Sequence, residues 1–180
     1  MYLISVYFDE KTNRILERYI SQIAQATGNT FMTSNRVPAH MTVSAIEAKS
    51  VEAIQPAFAS LQEKLSGGPV QFVSVGQLLP YVFYATPVLN AYLQDLSNQV
   101  YEAVKDIAET RVSNYYKPMS WLPHVTLGKT LDKEQMRIAF QVMQERFSPF
   151  EGTVTEMGLA KVNPHEDVAR HAFDKRWFIA

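Results

Sequence analysis

Pro38-Ala39-His40-Met41-Thr42-Val43 and Leu122-Pro123-His124-Val125-Thr126-Leu127 decide how this chain is read. Each is a strand-like stretch in which His-x-Thr and an aliphatic residue follow just after a proline. His40 and His124 stand 84 residues apart in a chain of 180. Residues i and i+2 of a β-strand point to the same face. Each stretch therefore presents an imidazole and a hydroxyl together, while Met41 and Val43, or Val125 and Leu127, turn to the buried side. The next residue on the polar face is Ser44 in the first copy and Gly128 in the second. Both are small, which predicts open space beside each His-Thr pair. One His-x-Thr carries little weight, because threonine favours strands anyway and a lone histidine is more often structural. The weight lies in two copies, half a chain apart, in similar surroundings.

The flanking sequence predicts the same succession of elements around each copy. Tyr2 to Phe8 is rich in β-branched and aromatic residues and reads as a buried strand. Asp9 caps a helix whose apolar face is Leu16, Tyr19, Ile20 and Ile23, and Gly28 ends it. Phe31 to Pro38 is a polar connection, and the first His-Thr strand runs from Ala39 to Glu47. Ser50 caps a second helix with the stripe Val51, Ile54, Phe58, Leu61, Leu65, stopped by Gly67-Gly68-Pro69. Val70 to Leu79 is a strand, with Gly76 marking a bulge or a close approach. Beyond Pro80, Tyr81 to Ala85 is a strand, and Thr86-Pro87 reads as the start of a helix carrying Leu89, Leu93, Leu96, Val100, Ala103 and Ile107. This helix ends near Thr110, and a loop follows from Arg111 to Trp121. The second His-Thr strand is His124 to Lys129. Asp132 and Gln135 form a capping box for a helix burying Met136, Phe140, Met143 and Phe147. Phe150 to Val162 is a strand with Gly158 inside it. Residues 163–167 are a turn, and Arg170 to Ile179 is the last strand.

Each half thus reads strand, helix, His-Thr strand, helix, strand, an internal repeat over roughly 1–79 and 80–180. The fold class expected is α+β: two pseudo-symmetric lobes forming one bilobal domain. Each lobe has a mainly antiparallel sheet with helices on its outer face, and the lobes flank a central cleft. An approximate two-fold between them makes the two His-Thr strands face each other, one site from two half-sites.

Composition narrows the class. Hydrophobic residues at 47% and charged residues at 19% mark a globular chain. The formal net charge of −1 offers no basic excess for a long duplex, so a small nucleotide or an RNA end is the expected partner. With no cysteine, thiolate catalysis, disulfides and cysteine-zinc sites are excluded. No apolar run reaches the ~18 residues of a membrane span, and the N-terminus meets Asp9 too soon for a signal peptide. A cytoplasmic monomer without membrane contact is expected.

Histidine, with an unperturbed pKa of about 6.5, both gives and takes protons near neutrality. Across a small cleft, one neutral imidazole takes a proton from water while a protonated one gives a proton to a leaving oxygen. Each threonine hydroxyl donates to an oxyanion beside its own histidine. Two such rings and two hydroxyls suit a phosphoryl centre with no metal, and hydrolysis of a phosphodiester, especially a strained cyclic one, is the reaction inferred. The halves being pseudo-equivalent, the sequence does not assign which histidine is acid and which base.

The paired motifs, their spacing and the duplicated halves resemble the 2H phosphoesterase superfamily. That superfamily includes the bacterial RNA 2′,3′-cyclic phosphodiesterases, also called 2′–5′ RNA ligases. The resemblance implies catalysis by His40 and His124, phosphate binding by Thr42 and Thr126, no cofactor, and activity on a 2′,3′-cyclic phosphate or 2′–5′ ligation. A nucleotide- or RNA-binding module without turnover is the competing class. Arg36, four residues before His40, and Trp121, in the loop before His124, are candidates for substrate contact, by phosphate or base binding and by stacking respectively. Lys129 falls on the opposite face by alternation. His165 and His171 read as structural or solvated, and a four-histidine metal site lacks any close ligand spacing.

Overall fold

The computed structural model describes residues 1–162, 166–174, 176 and 177. Its strands are β1 (Tyr2–Phe8), β2 (Met41–Glu47), β3 (Gly68–Leu78), β4 (Val82–Pro87), β5 (Arg111–Val112), β6 (Val125–Gly128), β7 (Phe150–Lys161) and β8 (Glu166–Ala172). Its helices are α1 (Glu10–Thr27), the short α2 (Phe31–Ser34), α3 (Gln55–Lys64), α4 (Ala91–Val104) and α5 (Lys133–Arg146). The molecule is α+β, as the sequence predicts.

All named strands pair antiparallel, in the order β1-β2-β6-β4-β3-β7-β8, and β7 also pairs with β1, so six strands close a circuit. The length of β7 makes this possible: Phe150–Val154 pairs with β3, while Val154–Lys161 lies along β1. Exchanging β1 with β4, β2 with β6 and β3 with β7 leaves the circuit unchanged. The third strand of each half pairs with the first strand of the other. On one face, α1 packs on α5 and reaches β6 and β7, while α4 packs on α3 and reaches β2 and β3. The apolar stripes seal them there: Leu16, Tyr19, Ile20 and Ile23 of α1, and Leu93, Leu96 and Val100 of α4, are buried.

Several local signals act as expected. The Asp9 carboxylate accepts from the Thr12 N–H, and Gly28 ends α1 at φ 70°, a conformation that costs a side chain. Asp132 and Gln135 form the reciprocal capping box.

Other expectations are corrected. Ser50 does not cap α3, which begins at Gln55 with Pro56 in its first turn. A proline inside a longer helix would remove a hydrogen bond and clash with the preceding turn, so the helix cannot start as early as Val51. Thr86-Pro87 does not open α4. Thr86 pairs with Ser74 and Pro87 with Phe72, completing β4. Asn90 takes the cap instead, its side chain accepting from the Leu93 N–H. Sheet pairing overrides a local cap signal here. The polar connection after α1 contains α2, and the loop after α4 contains β5 and a 3-10 turn at Asn114–Tyr116. The last strand is Glu166–Ala172, earlier than expected. Of the predicted turn at 163–167, Glu166 and Asp167 instead open β8, while residues 163–165, 175 and 178–180 lie outside the described residues.

Ser44 and Gly128 are the correction that matters most for the site. Ser5 pairs with Thr42 but Ile4 with Ser44, leaving Val43 as an extra residue in β2. Likewise Tyr84 pairs with Thr126 but Phe83 with Gly128, leaving Leu127 extra in β6. Each extra residue is a β-bulge, which resets the alternation of faces. Ser44 therefore shares the core face with Ile4 and is 1% exposed. At Gly128 an added Cβ would lie 3.0 Å from Leu131 Cδ1, so this position too is packed rather than open.

Candidate active site

The site is built on the junction of β2 and β6, which among the described residues holds a single ladder pair, Met41 with Val125. That pair joins the residue after each histidine. In this register His40 lies across from Thr126, and Thr42 across from His124. Met41 and Val125 point into the core, at 0% and 1% exposure, so the four polar residues share the other face. Opposed residues of an antiparallel pair have Cβ atoms about 4.5–5.5 Å apart and diagonal neighbours about 7–8 Å. The seam thus gathers both imidazoles and both hydroxyls within the reach of one small group.

The two rings are held alike. His40 Nδ1–H donates to the Pro38 carbonyl at 2.8 Å, and His124 Nδ1–H donates to the Leu122 carbonyl at 2.8 Å. A carbonyl only accepts, so Nδ1 carries the proton and the neutral ring keeps its lone pair on Nε2. Each ring also leans on a tyrosine: His40 on Tyr7 with centroids 6.1 Å apart, His124 on Tyr84 at 5.3 Å. Burial pushes the His124 pKa below the ordinary histidine value, and the bond to the Leu122 carbonyl opposes that shift.

The threonines differ. Thr42 Oγ1 shares a 3.3 Å hydrogen bond with Ser5 Oγ, its neighbour across the ladder. Tyr84 occupies the corresponding place beside Thr126. Trp121 Nε1–H donates to the Thr42 carbonyl at 2.9 Å, and Thr86 Oγ1 donates to the Pro123 carbonyl at 2.8 Å. The first bond reinforces the junction of the two motifs where the backbone ladder is thin, and the second ties β4 to the second motif.

Known proteins share this architecture. A family model described as the 2′-5′ RNA ligase superfamily matches residues 14–166. The chain belongs to the 2′-5′ RNA ligase superfamily. Among solved structures, Escherichia coli LigT complexed with 3′-AMP is similar with a TM-score of 0.64 at 15% identity, covering 97% of this chain and 98% of that one. A Thermus thermophilus protein, TT0787, gives 0.61 at 17% identity, covering 96% and 97%. Usb1 of Kluyveromyces marxianus gives 0.50 at 10% identity, covering 93% and 96%. At such identities these likenesses bear on the fold alone. No curated protein is similar enough in sequence to count as a match.

In this superfamily member, Trp121 is 7% exposed with its indole N–H bound to Thr42. Little of its ring is exposed, and its indole N–H supports the first motif. Arg36 is exposed in the turn after α2, with φ 49°. Lys129 is exposed and lies over the Phe31 ring, 5.5 Å from its centroid. His171 meets Phe173 edge to face in β8, and His165 lies outside the described residues. Among the described residues, no three His, Asp or Glu side chains are grouped to hold a metal ion. No helix of the described residues is long and apolar enough to cross a membrane. A cavity of about 610 Å³ beside Gly68, Thr153 and Trp177 includes none of the four motif residues.

Sequence reasoning passed over Ser5 and Tyr7 of β1 and Tyr84 and Thr86 of β4. The signal was present: both strands carry hydroxyl-bearing residues at i and i+2 between apolar ones. Reading β1 as buried on both faces hid it.

Proposed function

We propose that this protein is a metal-independent phosphodiesterase that opens a 2′,3′-cyclic phosphate on an RNA end or a nucleotide. His40 and His124 form the acid–base pair, and Thr42 and Thr126 bind the phosphate. One Nε2 takes a proton from water as its oxygen attacks phosphorus. The bond from phosphorus to a ribose oxygen breaks, and the other imidazolium protonates that oxygen. The threonine hydroxyls donate to the non-bridging oxygens as negative charge grows there. If the 5′-hydroxyl of a second strand takes the place of water, the same atoms make a 2′–5′ linkage, which is the ligase activity. The observation that supports the reading most is the matched pair of Nδ1–H bonds to Pro38 and Leu122, on the two histidines that precede the paired residues Met41 and Val125.

Superfamily membership supports a phosphoesterase or ligase-like activity. The LigT complexes with 3′-AMP and NADP+ support a small nucleotide as ligand. Arg36 is proposed to add substrate contact from its exposed turn, so Arg36→Ala raises KM more than it lowers kcat. The deciding experiment offers nucleoside 2′,3′-cyclic monophosphates and cyclic-phosphate RNA ends in the presence of EDTA. Turnover is expected. Tight binding without turnover would make this a binding module, and loss in EDTA reversed by a divalent ion would end the metal-free mechanism.

A further inference from the structure

The two half-sites are not furnished alike. At the seam, Val6 pairs with Met41 and Ala85 with Val125, so β1 and β4 hold corresponding places. Counting outward, Ser5 corresponds to Tyr84, and Tyr7 to Thr86. Each half has one tyrosine against its histidine, but from different positions, and the two tyrosines are fixed by different means.

Tyr84 lies over Gly76 of β3, where an added Cβ would come 2.6 Å from its hydroxyl oxygen. Tyr7 and Arg170 both crowd Gly158 of β7, where an added Cβ would come 2.9 Å from Tyr7 Cε2 and 3.1 Å from Arg170 Cδ. Over the Tyr7 ring lies the Arg170 guanidinium, 3.4 Å from the centroid. Arg170 is itself anchored, to Glu156 at 3.0 Å and to Asp167 at 3.2 Å. A guanidinium stacked on an aromatic face is held by the ring quadrupole as well as by packing. Two carboxylates fix its plane, so the tyrosine beneath cannot tilt without breaking those bonds. Burial holds the Tyr7 phenol neutral, its pKa pushed up to about 12. The His40 imidazole lies against the same ring, tilted by 43° with its centroid 6.1 Å away.

We propose that Arg170 is a positioning residue for His40, acting through Tyr7. The proposal rests on the reading of His40 as catalytic. β8, a strand outside the six-strand circuit, thereby sets the orientation of a ring in the first half of the chain, and His124 has no such clamp among the described residues.

The test joins ring spectroscopy to kinetics. Imidazole nitrogen resonances are recorded at about pH 8, above the ordinary histidine pKa of about 6.5. The wild type shows the Nδ1–H form at both. In Arg170→Ala, His40 becomes a tautomer mixture while His124 is unchanged. On a cyclic-phosphate substrate kcat falls about tenfold to a hundredfold with KM within about twofold, the range expected when a reacting group is displaced by about 1 Å. Arg170→Lys, which keeps the charge but has neither plane nor fork, recovers little of the rate. Tyr7→Phe keeps it, because the ring and not the hydroxyl transmits the effect. Tyr7→Leu matches Arg170→Ala, and the double variant is no worse than Tyr7→Leu. A folded Arg170→Ala or Tyr7→Leu with unchanged His40 resonances and kcat overturns the proposal, as does a double variant losing the product of the two single losses. Should Arg170→Ala not fold, Tyr7→Leu and Arg170→Lys decide by the same readouts. A wild type inactive on every cyclic phosphate ends the catalytic reading, while the resonances still report whether Arg170 orients the ring.

Discussion

A histidine acts as a proton donor or acceptor only if one nitrogen faces the reaction and the other is tied down, and both rings here have Nδ1 tied to a carbonyl two residues back. Truncating either ring removes a proton-transfer group, expected to cost about 10²–10⁴ in rate. Truncating either threonine removes a hydrogen bond to a charged group, about 1.5–3 kcal/mol, or about ten- to 150-fold if the bond strengthens in the transition state. His40→Ala and His124→Ala should therefore lose more kcat/KM than Thr42→Ala and Thr126→Ala, with circular dichroism as the folding control. A folded variant lacking one histidine yet near wild-type activity would refute the pair. The lowered His124 pKa also has a signed consequence for stability. Its folded value lies below the unfolded value of about 6.5, so the unfolded chain binds the proton more readily. Its contribution to stability is present above about pH 6.5 and is lost as pH falls through the folded pKa. Melting curves should show wild type losing more Tm than His124→Gln as pH is lowered past that window. Parallel losses would rule the account out.

At the scale of elements, the β2–β6 junction is the weak joint, with one ladder pair among the described residues and the Trp121 indole bond to Thr42 reinforcing it. Trp121→Phe keeps the packing but leaves the Thr42 carbonyl without its indole donor, a loss of about 1–3 kcal/mol for a buried group. Urea unfolding should report that loss while KM stays within about twofold. A large rise in KM at unchanged stability would return Trp121 to substrate binding. Both His-Thr strands, the cap of α1 and the capping box of α5 were legible because periodicity and cap chemistry are local. What was not legible depended on partners distant in sequence. Thr86-Pro87 looks like a helix start until β3 claims both residues. The matched bulges at Val43 and Leu127 appear only when β1 and β4 are laid alongside, so strict alternation sent Ser44 and Gly128 to the wrong face. Arg170 reads in sequence only as the start of the last strand, since its place beside Tyr7 needs the register of β7 against both β1 and β8.

For the molecule as a whole, the circuit of strands means that neither half owns its sheet. The first half taken alone has β1 without β7 and β3 without β4. A chain ending at residue 79 should therefore stay largely unfolded by circular dichroism, and the full protein should unfold in one transition seen alike by fluorescence and far-ultraviolet signals. A stably folded first half would contradict this. The same circuit has a consequence during synthesis. Tyr2 pairs with Lys161, 161 − 2 = 159 residues later. At translation rates of about 5–20 residues per second, β1 waits about 8–30 s for that partner to leave the ribosome. Tyr2–Phe8 carries no charge, proline or glycine and is rich in β-formers, the composition that seeds strand-to-strand association between chains. Through that interval a nascent chain holds one edge of β1 unpaired, and a chaperone that shields nascent strands should raise the soluble yield.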